Sequence, residues 1–465
     1  MRQGVVRDLV EATRLARACL RLREYGLRAG GLLSSSLWFL LAWAALVGAL
    51  SPGVAESYPL DEYGDTGIKR LEGLRRAVRT TPDAWVVSPG GEMPSSKVEL
   101  SLADRPDFRV PPADRTFSAE LSQILGQDAR GWSLAVLDLT YPDRPRFGVV
   151  NPDAHMNAGS AGKIVTALAL LTAVGDVYPD PEDRERVLRE TVVVADEFIR
   201  NDTHEVPWWE PDEKLVARRP IEEGDQGNLY QYLDWSLSNS SSAAAAIVQR
   251  EALLLRRFGR AYPVDPATAD AWLDRTSKGE LGRELAAANR EPLARSGISR
   301  DRLQQGSLFT REGKKRLPGQ SSWATGRGLI DYLVAMEKGQ LVDLWTSLEM
   351  KRLLYVTDKR VRWAGAAELR EAAVFFKSGS LFRCGGRGPC GDYAGNTWNF
   401  LAAVADVQMP QRDPPIHYLV GAISNVLGQY SIPEHDRVGG AVQILMERLH
   451  PELGQRARMA SVRDP

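Results

Sequence analysis

Cysteine and histidine are scarce in this sequence of 465 residues, which has three cysteines and five histidines. The histidines stand at positions 155, 204, 417, 435 and 450 and do not form a metal-ligand pattern. We therefore predict no metal site and no organic cofactor. Excess positive charge is missing as well, because 59 basic and 60 acidic residues nearly cancel. This balance argues against a basic surface and against nucleic acid as a partner.

Two of the three cysteines lie close together near the C-terminus. Cys384 and Cys390 enclose the short loop CGGRGPC, whereas Cys19 lies in the N-terminal segment. In an oxidising compartment such a pair is typical of a disulfide. The alternative is two free thiols.

Charge is absent from one long stretch, Leu32 to Leu50, which follows a segment with seven arginines and three acids. Nineteen uncharged, mostly apolar residues are nearly enough for a transmembrane helix. The arginines would keep the N-terminus in the cytoplasm, so the chain after residue 50 is predicted on the outer side of the cytoplasmic membrane. A signal peptide cleaved near Gly53-Val54-Ala55 is the alternative. We favour the anchor, because the basic and apolar parts are both long for a signal peptide.

The remaining chain divides by composition. We predict a basic cytoplasmic segment (1–31), the anchor or uncleaved signal (32–50), a stalk or linker rich in Pro, Gly, Ser and charge (51–113), one folded domain (114–449) and a tail (450–465).

Strands are predicted at both ends of the domain and helices between them. Apolar periodicity predicts a first helix near residues 114–127 and a last helix at 435–449. Strand-like segments are 132–140, 146–150, 373–381, 397–406 and 417–425, and no strand is expected between 155 and about 370. This order predicts an α+β fold, with an antiparallel sheet flanked on one face by the terminal helices and with an inserted all-helical domain.

The first motif with chemical potential is Ser160-Ala161-Gly162-Lys163, at the start of an almost wholly apolar helix. A serine and a lysine three residues apart lie one helical turn apart. Burial and the positive end of the helix dipole both lower the lysine pKa. A neutral amine can accept the serine proton, and the free Ser160 N–H can stabilise an oxyanion. Alone, the motif also fits an ordinary helix start.

The second motif is Ser238-Asn239-Ser240, ahead of an alanine-rich helix. Capping of that helix would explain one serine. The run contains four serines and an asparagine, more than a cap needs, and it can direct hydroxyl and amide groups into a cleft.

The third motif is Lys377-Ser378-Gly379-Ser380, within an apolar strand. A buried unpaired lysine is costly, so Lys377 is expected to face a cleft. Gly379 permits close approach of a substrate or another backbone segment. A solvent-facing lysine on an edge strand is the alternative.

In this order the three motifs resemble the SxxK, SxN and K[ST]G motifs of the serine penicillin-binding-protein and class A β-lactamase family. The resemblance covers roughly residues 114–449. It implies that Ser160 is the acylated nucleophile, Lys163 its base and Ser238 a proton relay. It also implies that Lys377 and Ser378 bind the substrate carboxylate, and that the Ser160 and Ser380 N–H groups form the oxyanion hole.

Two departures from the family pattern bear on function. Ser240 stands where the family has asparagine, and the serine run allows a shift of one or two residues. The glutamate that hydrolyses the acyl-enzyme in class A β-lactamases has no match, since Glu291, Asp301 and Glu312 stand in other contexts.

We therefore expect a serine hydrolase resembling D,D-peptidases, which acts on cell-wall peptide or a related amide or ester. A β-lactamase is the second candidate. A catalytically idle domain that binds cell-wall fragments or β-lactams is the candidate of another class.

Overall fold

A computed structural model describes residues 60–80, 93–212, 216–357, 360–385, 395–428 and 430–453. The expected anchor (32–50), the basic segment before it, Cys390 and most of the tail lie outside these residues. The anchor and the disulfide therefore stay predictions.

The strands form one large sheet and three small ones. They are β1 (Trp132–Asp138), β2 (Arg146–Val150), β3 (Val192–Val194), β4 (Glu205–Trp208), β5 (Ala217–Pro220), β6 (Gln226–Asn228), β7 (Leu303–Gln304), β8 (Trp323–Ala324), β9 (Ala373–Cys384), β10 (Asn396–Met409) and β11 (Ile416–Asn425). The large sheet is antiparallel, with the order β2-β1-β11-β10-β9. Its edge strand β9 carries the third motif.

The helices are α1 (Tyr63–Thr66), α2 (Lys69–Thr80), α3 (Arg115–Leu125), α4 (Lys163–Val177), α5 (Pro181–Glu190), α6 (Leu229–Leu237), α7 (Ser242–Phe258), α8 (Pro266–Arg275), α9 (Lys278–Arg295), α10 (Arg311–Arg316), α11 (Gly326–Glu337), α12 (Leu344–Tyr355) and α13 (Ser431–Leu449). The α+β class predicted from the sequence is confirmed.

The sheet is covered on both faces, which explains why β1 is buried throughout. Side chains alternate between the faces of a strand. Leu134 and Val136 pack with the terminal helices α3 and α13, whereas Ala135 and Leu137 pack with the inserted helices. The expected packing of the first and last helices on one sheet face is thus confirmed.

Helix α4 is the central helix of the inserted region. Twelve of its residues are buried, from Lys163 to Val174. In the described part of the chain, the segment Gly159–Val177 alone is long and apolar enough to cross a membrane, and its burial identifies it as a core helix. The packed apolar side chains of this helix therefore fix the position of the first motif at its N-terminal end.

The structure corrects two expectations. Six strands of two to four residues, β3 to β8, lie where no strand was expected. Residues 51–113 were predicted to be a stalk or linker, but the described residues 60–80 and 93–113 pack on the domain through Leu71 and Leu102, which are fully buried. Arg70 is buried there too and forms a two-pronged ion pair with Asp234, with N–O distances of 2.6 and 2.7 Å.

Candidate active site

The first and third motifs meet where the turn before α4 crosses the edge strand β9. Ser160 lies in the 3-10 turn Gly159–Gly162, which continues into α4. A Cβ atom at Gly379 would lie 2.0 Å from Ala158 O and 2.9 Å from Ser160 N, and one at Gly159 would lie 2.9 Å from Ser380 N. Glycine is therefore required at both positions. The contact brings together the two backbone N–H groups expected to form an oxyanion hole.

Ser160 and Lys163 are within hydrogen-bond distance of each other. Lys163 Nζ lies 3.1 Å from Ser160 Oγ and also donates a short hydrogen bond to Ser240 O. The ammonium group lies 4.9 Å from the centre of the Phe309 ring. Lys163 is fully buried. The predicted pairing of these two side chains is thus present in the structure.

Burial lowers the pKa of Lys163 to about 7, although the carboxylate of Asp202 acts in the opposite direction. Desolvation penalises the charged amine, because the nearby protein replaces water. At neutral pH about half of the Lys163 side chains are then uncharged. The amine can therefore act as a general base toward Ser160 Oγ.

The second motif has a different register from the one expected. Ser240, not Ser238, lies between the two lysines: its carbonyl accepts from Lys163 and its Oγ accepts from Lys377 Nζ at 2.9 Å. Ser238 Oγ is buried and accepts from Arg70 at 3.4 Å. Ser240, rather than Ser238, therefore lies at the position expected for the proton relay.

This register follows from the ends of the two helices. Helix α6 ends at Leu237, and Ser241 caps α7 by accepting the N–H of Ala244 at 3.1 Å. Ser240 lies between them with φ +60°, in the left-handed region. Ser242 then takes the third place of the motif and lines the cleft.

Lys377 is buried, and its Nζ also donates to Ser378 O at 2.7 Å. Ser378 Oγ accepts from Arg362 Nη1 at 3.1 Å, so a second cation joins this end of the cleft. Two cations and a hydroxyl group form a suitable subsite for a carboxylate. Arg362 has φ +53°, and no local sequence pattern marked it as a site residue.

A cleft of about 440 Å³ contains the three motifs. The predicted residues that line it are Ser160, Ser238, Ser240, Lys377, Ser378, Gly379 and Ser380. Sequence reasoning missed the lining residues His204, Lys314 and Arg362, which lie outside the motifs.

No carboxylate is found among the described residues that line the cleft. None of the three acids considered from the sequence, Glu291, Asp301 and Glu312, lines the cleft. Glu291 pairs with Arg256 and Glu312 with Lys315. The side chain of Gln305 instead approaches the Ser160 turn, since its Oε1 would lie 2.2 Å from a Cβ at Gly162. An amide cannot serve as the base that activates water.

A second group of titratable residues joins the end of α11 to strands β10 and β11, apart from the cleft lining. Glu337, Asp406 and His417 are buried close together. Lys351 Nζ lies 2.6 Å from Glu337 Oε1 and 3.4 Å from Asp406 Oδ2. Burial raises the pKa of Glu337, and the Lys351 ammonium acts in the opposite direction. The Lys351 ammonium thus already supplies a cation to these carboxylates.

No protein-family model matches the chain, and no curated protein sequence matches it. Among solved structures, the chain is similar to PBP-A, with a TM-score of 0.46 and 12% identity over 73% of this chain and 100% of that chain. A class A β-lactamase from Bacteroides cellulosilyticus DSM 14838 gives a TM-score of 0.45 and 14% identity, over 72% of this chain and 99% of that chain. For a β-lactamase from Chitinophaga pinensis DSM 2588 the values are 0.45 and 14%, over 72% and 100%. The likeness concerns the arrangement of helices and strands.

Proposed function

We propose that this chain is a serine acyl-transfer enzyme that forms an acyl-enzyme on Ser160. Its substrate is a cell-wall peptide or a related amide or ester, and it acts on the outer side of the cytoplasmic membrane. One observation carries the proposal: the buried Lys163 amine lies 3.1 Å from Ser160 Oγ, with a pKa near neutrality. A serine hydroxyl becomes a nucleophile when a neutral base accepts its proton.

The geometry supports a sequence of four events. Lys163 Nζ accepts the proton of Ser160 as Oγ bonds to the substrate carbonyl carbon. The N–H groups of Ser160 and Ser380 stabilise the negative oxygen. The bond to the leaving amine or alcohol breaks, and the leaving group takes the proton of the Ser240 hydroxyl, which Lys377 holds at 2.9 Å. The proton that Lys163 took from Ser160 replaces it, so that the Lys163 amine is neutral again. The product is an ester on Ser160.

Substrate orientation is the proposed task of the opposite end of the cleft. Lys377 and Arg362 converge there on Ser378 and attract a substrate carboxylate. Charge-assisted hydrogen bonds of this kind are about twice as strong as neutral ones. A carboxylate-bearing substrate fits this cleft better than a neutral one.

Rapid β-lactam hydrolysis is disfavoured by the same cleft. A water molecule that attacks the acyl-enzyme needs a base, and no carboxylate lines the described cleft. A penicillin is therefore expected to acylate Ser160 and to remain bound for a long time.

Fluorescent penicillin tests the proposal on the purified full-length chain. Wild type should be labelled covalently and Ser160→Ala should not be. Ser307→Ala is the matched control, because Ser307 lines the same cleft outside the motifs. Equal labelling of wild type and Ser160→Ala would overturn the nucleophile assignment. Labelling without turnover of any carboxylate-bearing ester or thioester would instead favour a binding domain.

A further inference from the structure

Asp202 is a buried acid next to the site, in the loop between β3 and β4. Its side chain is only 6% exposed. One carboxylate oxygen accepts from Ser241 Oγ at 3.0 Å and from Ala243 N at 2.7 Å, and the other bonds to His204 Nδ1. The carboxylate therefore ties this loop to the first turn of α7. None of the three motifs contains it.

The bonds to Asp202 hold the turn that presents Ser240. Ser240 has φ +60°, which costs a non-glycine residue on the order of 1 kcal/mol. Such a conformation persists only where several surrounding contacts hold it in place. On one side Ser240 contacts Lys163 and Lys377. On the other side, its neighbours in the chain are held by Asp202.

Asp202 also acts on Lys163 through its charge. Burial lowers the pKa of Lys163, and Asp202 opposes this effect; in return Lys163 helps to lower the pKa of Asp202, which lies at about 2. Burial itself opposes that low value, and the bonds from His204 and Ala243 outweigh it. The cationic groups that line the cleft come from three other elements: Lys377, Arg362 and Lys314. Asp202 thus supplies negative charge beside a site whose described lining has none.

We propose that Asp202 is a positioning residue of the acyl-transfer reaction proposed above: its carboxylate holds the turn that carries Ser240, and its negative charge acts on the Lys163 amine, which donates to Ser240 O in the same turn. The two effects have different signatures. Loss of the turn lowers the acylation rate at every pH. The acylation rate falls at low pH, because acylation requires the uncharged Lys163 amine; this part of the pH–rate profile is its acidic limb. Loss of the Asp202 charge lowers the pKa of Lys163 and therefore moves the acidic limb to lower pH.

Asp202→Asn separates the effects, since it keeps a carbonyl acceptor for the Ala243 N–H but loses the charge. The rate at which penicillin acylates the full-length variant is measured as a function of pH. Its acidic limb should lie about one pH unit below that of wild type, which is the low end of the pKa shifts that a nearby opposite charge produces. Asp202→Ala should in addition lose at least about tenfold in rate at every pH, as expected for a mispositioned site. Asp225→Asn is the matched control, because Asp225 is also a loop acid that accepts from a backbone N–H, but it pairs with Arg219 and does not line the cleft. Its acidic limb should coincide with that of wild type.

Ser241→Ala provides a second variant that leaves the charge in place. It should lower the rate without moving the acidic limb. An unmoved limb in a folded Asp202→Asn protein would overturn the proposal, and so would an equal shift in Ser241→Ala.

An NMR titration of ¹³C-labelled lysine in wild type and in Asp202→Asn reports the Lys163 pKa without any reaction. A lower pKa in the variant supports the inference even if no acylation occurs, in which case only the proposed function fails. An equal pKa contradicts the charge effect whether or not the protein acylates.

Discussion

The Lys163 amine should reduce the stability of the fold, and Lys163→Met should recover that free energy. The side chain is fully buried, and its pKa falls from 10.5 to about 7. This difference corresponds to a free energy of about 5 kcal/mol. Hydrogen bonds to Ser160 and Ser240 are lost in the variant and offset part of it, at about 1 kcal/mol each. We therefore expect Lys163→Met to gain about 1–3 kcal/mol in the free energy of unfolding at pH 6.

The sign of the pH dependence follows from the number of protons bound. Between pH 7 and 10.5 the unfolded chain keeps the Lys163 proton and the folded chain loses it, so wild-type stability rises with pH. Below pH 7 both states are protonated and the full cost is present. The advantage of Lys163→Met should therefore be largest below pH 7, decline as the pH rises above 7 and turn into a disadvantage before pH 10.5, because the lost hydrogen bonds still count once the cost of burying the charge is gone.

Urea denaturation of the purified full-length chain at several pH values, followed by tryptophan fluorescence, measures this advantage. Ser160→Ala is the control, because it leaves the amine in place and should keep the wild-type pH dependence. If Lys163→Met unfolds at the wild-type urea concentration, or at a lower one, at every pH from 6 to 10, the argument from burial is refuted.

Three further predictions concern other charged or reactive groups. The arginine of Lys163→Arg cannot lose its proton near neutrality, so this variant should be acylated at least about a hundredfold more slowly in stopped-flow assays. Lys377→Arg keeps a cation at its position and should lose less of the acylation rate. A larger loss in Lys377→Arg than in Lys163→Arg would contradict the assigned roles. Lys351→Met removes the ammonium that lies between Glu337 and Asp406, leaves His417 beside Asp406, and should lower the free energy of unfolding by about 3–5 kcal/mol in urea titrations; an unchanged midpoint would speak against that ion pair. Cys384 and Cys390 should be protected from alkylation until reduction in protein taken from its native compartment, as mass spectrometry can check, and alkylation before reduction would exclude the disulfide.

The large sheet and its covering helices were predictable because they carry strong local signals. β2 has the expected bounds and β11 differs from them by one residue, since each is a short apolar run between turn residues. The continuous apolar stretch after Lys163 likewise indicated a buried helix. The pairs β3–β6, β4–β5 and β7–β8 were missed, because strands of two to four residues depend on tertiary contacts more than on sequence pattern.

The residues 60–80 show the limit of composition as a guide. α2 is rich in arginine and looks solvated, but Arg70 is buried against Asp234. A charged side chain that is paired inside a protein cannot be distinguished in sequence from one on the surface. The partner lies 164 positions away, so only the fold reveals the pair.

The candidate site was predictable where a motif has a unique reading. Ser160, Lys163 and Lys377 stand in short motifs with one register each. The serine run allowed several registers, and the choice of Ser240 depends on its left-handed backbone between two helices. Asp202 and Arg362 reach the site from distant loops and leave no local signal.

Peptide mapping after reaction with penicillin tests the central claim most directly. The full-length chain is incubated with penicillin, digested, and the modified peptide is sequenced by tandem mass spectrometry. The account predicts a penicilloyl adduct on Ser160 and no adduct in the Ser160→Ala chain. An adduct on Ser238, Ser240 or any other side chain, or one that persists in Ser160→Ala, would contradict it.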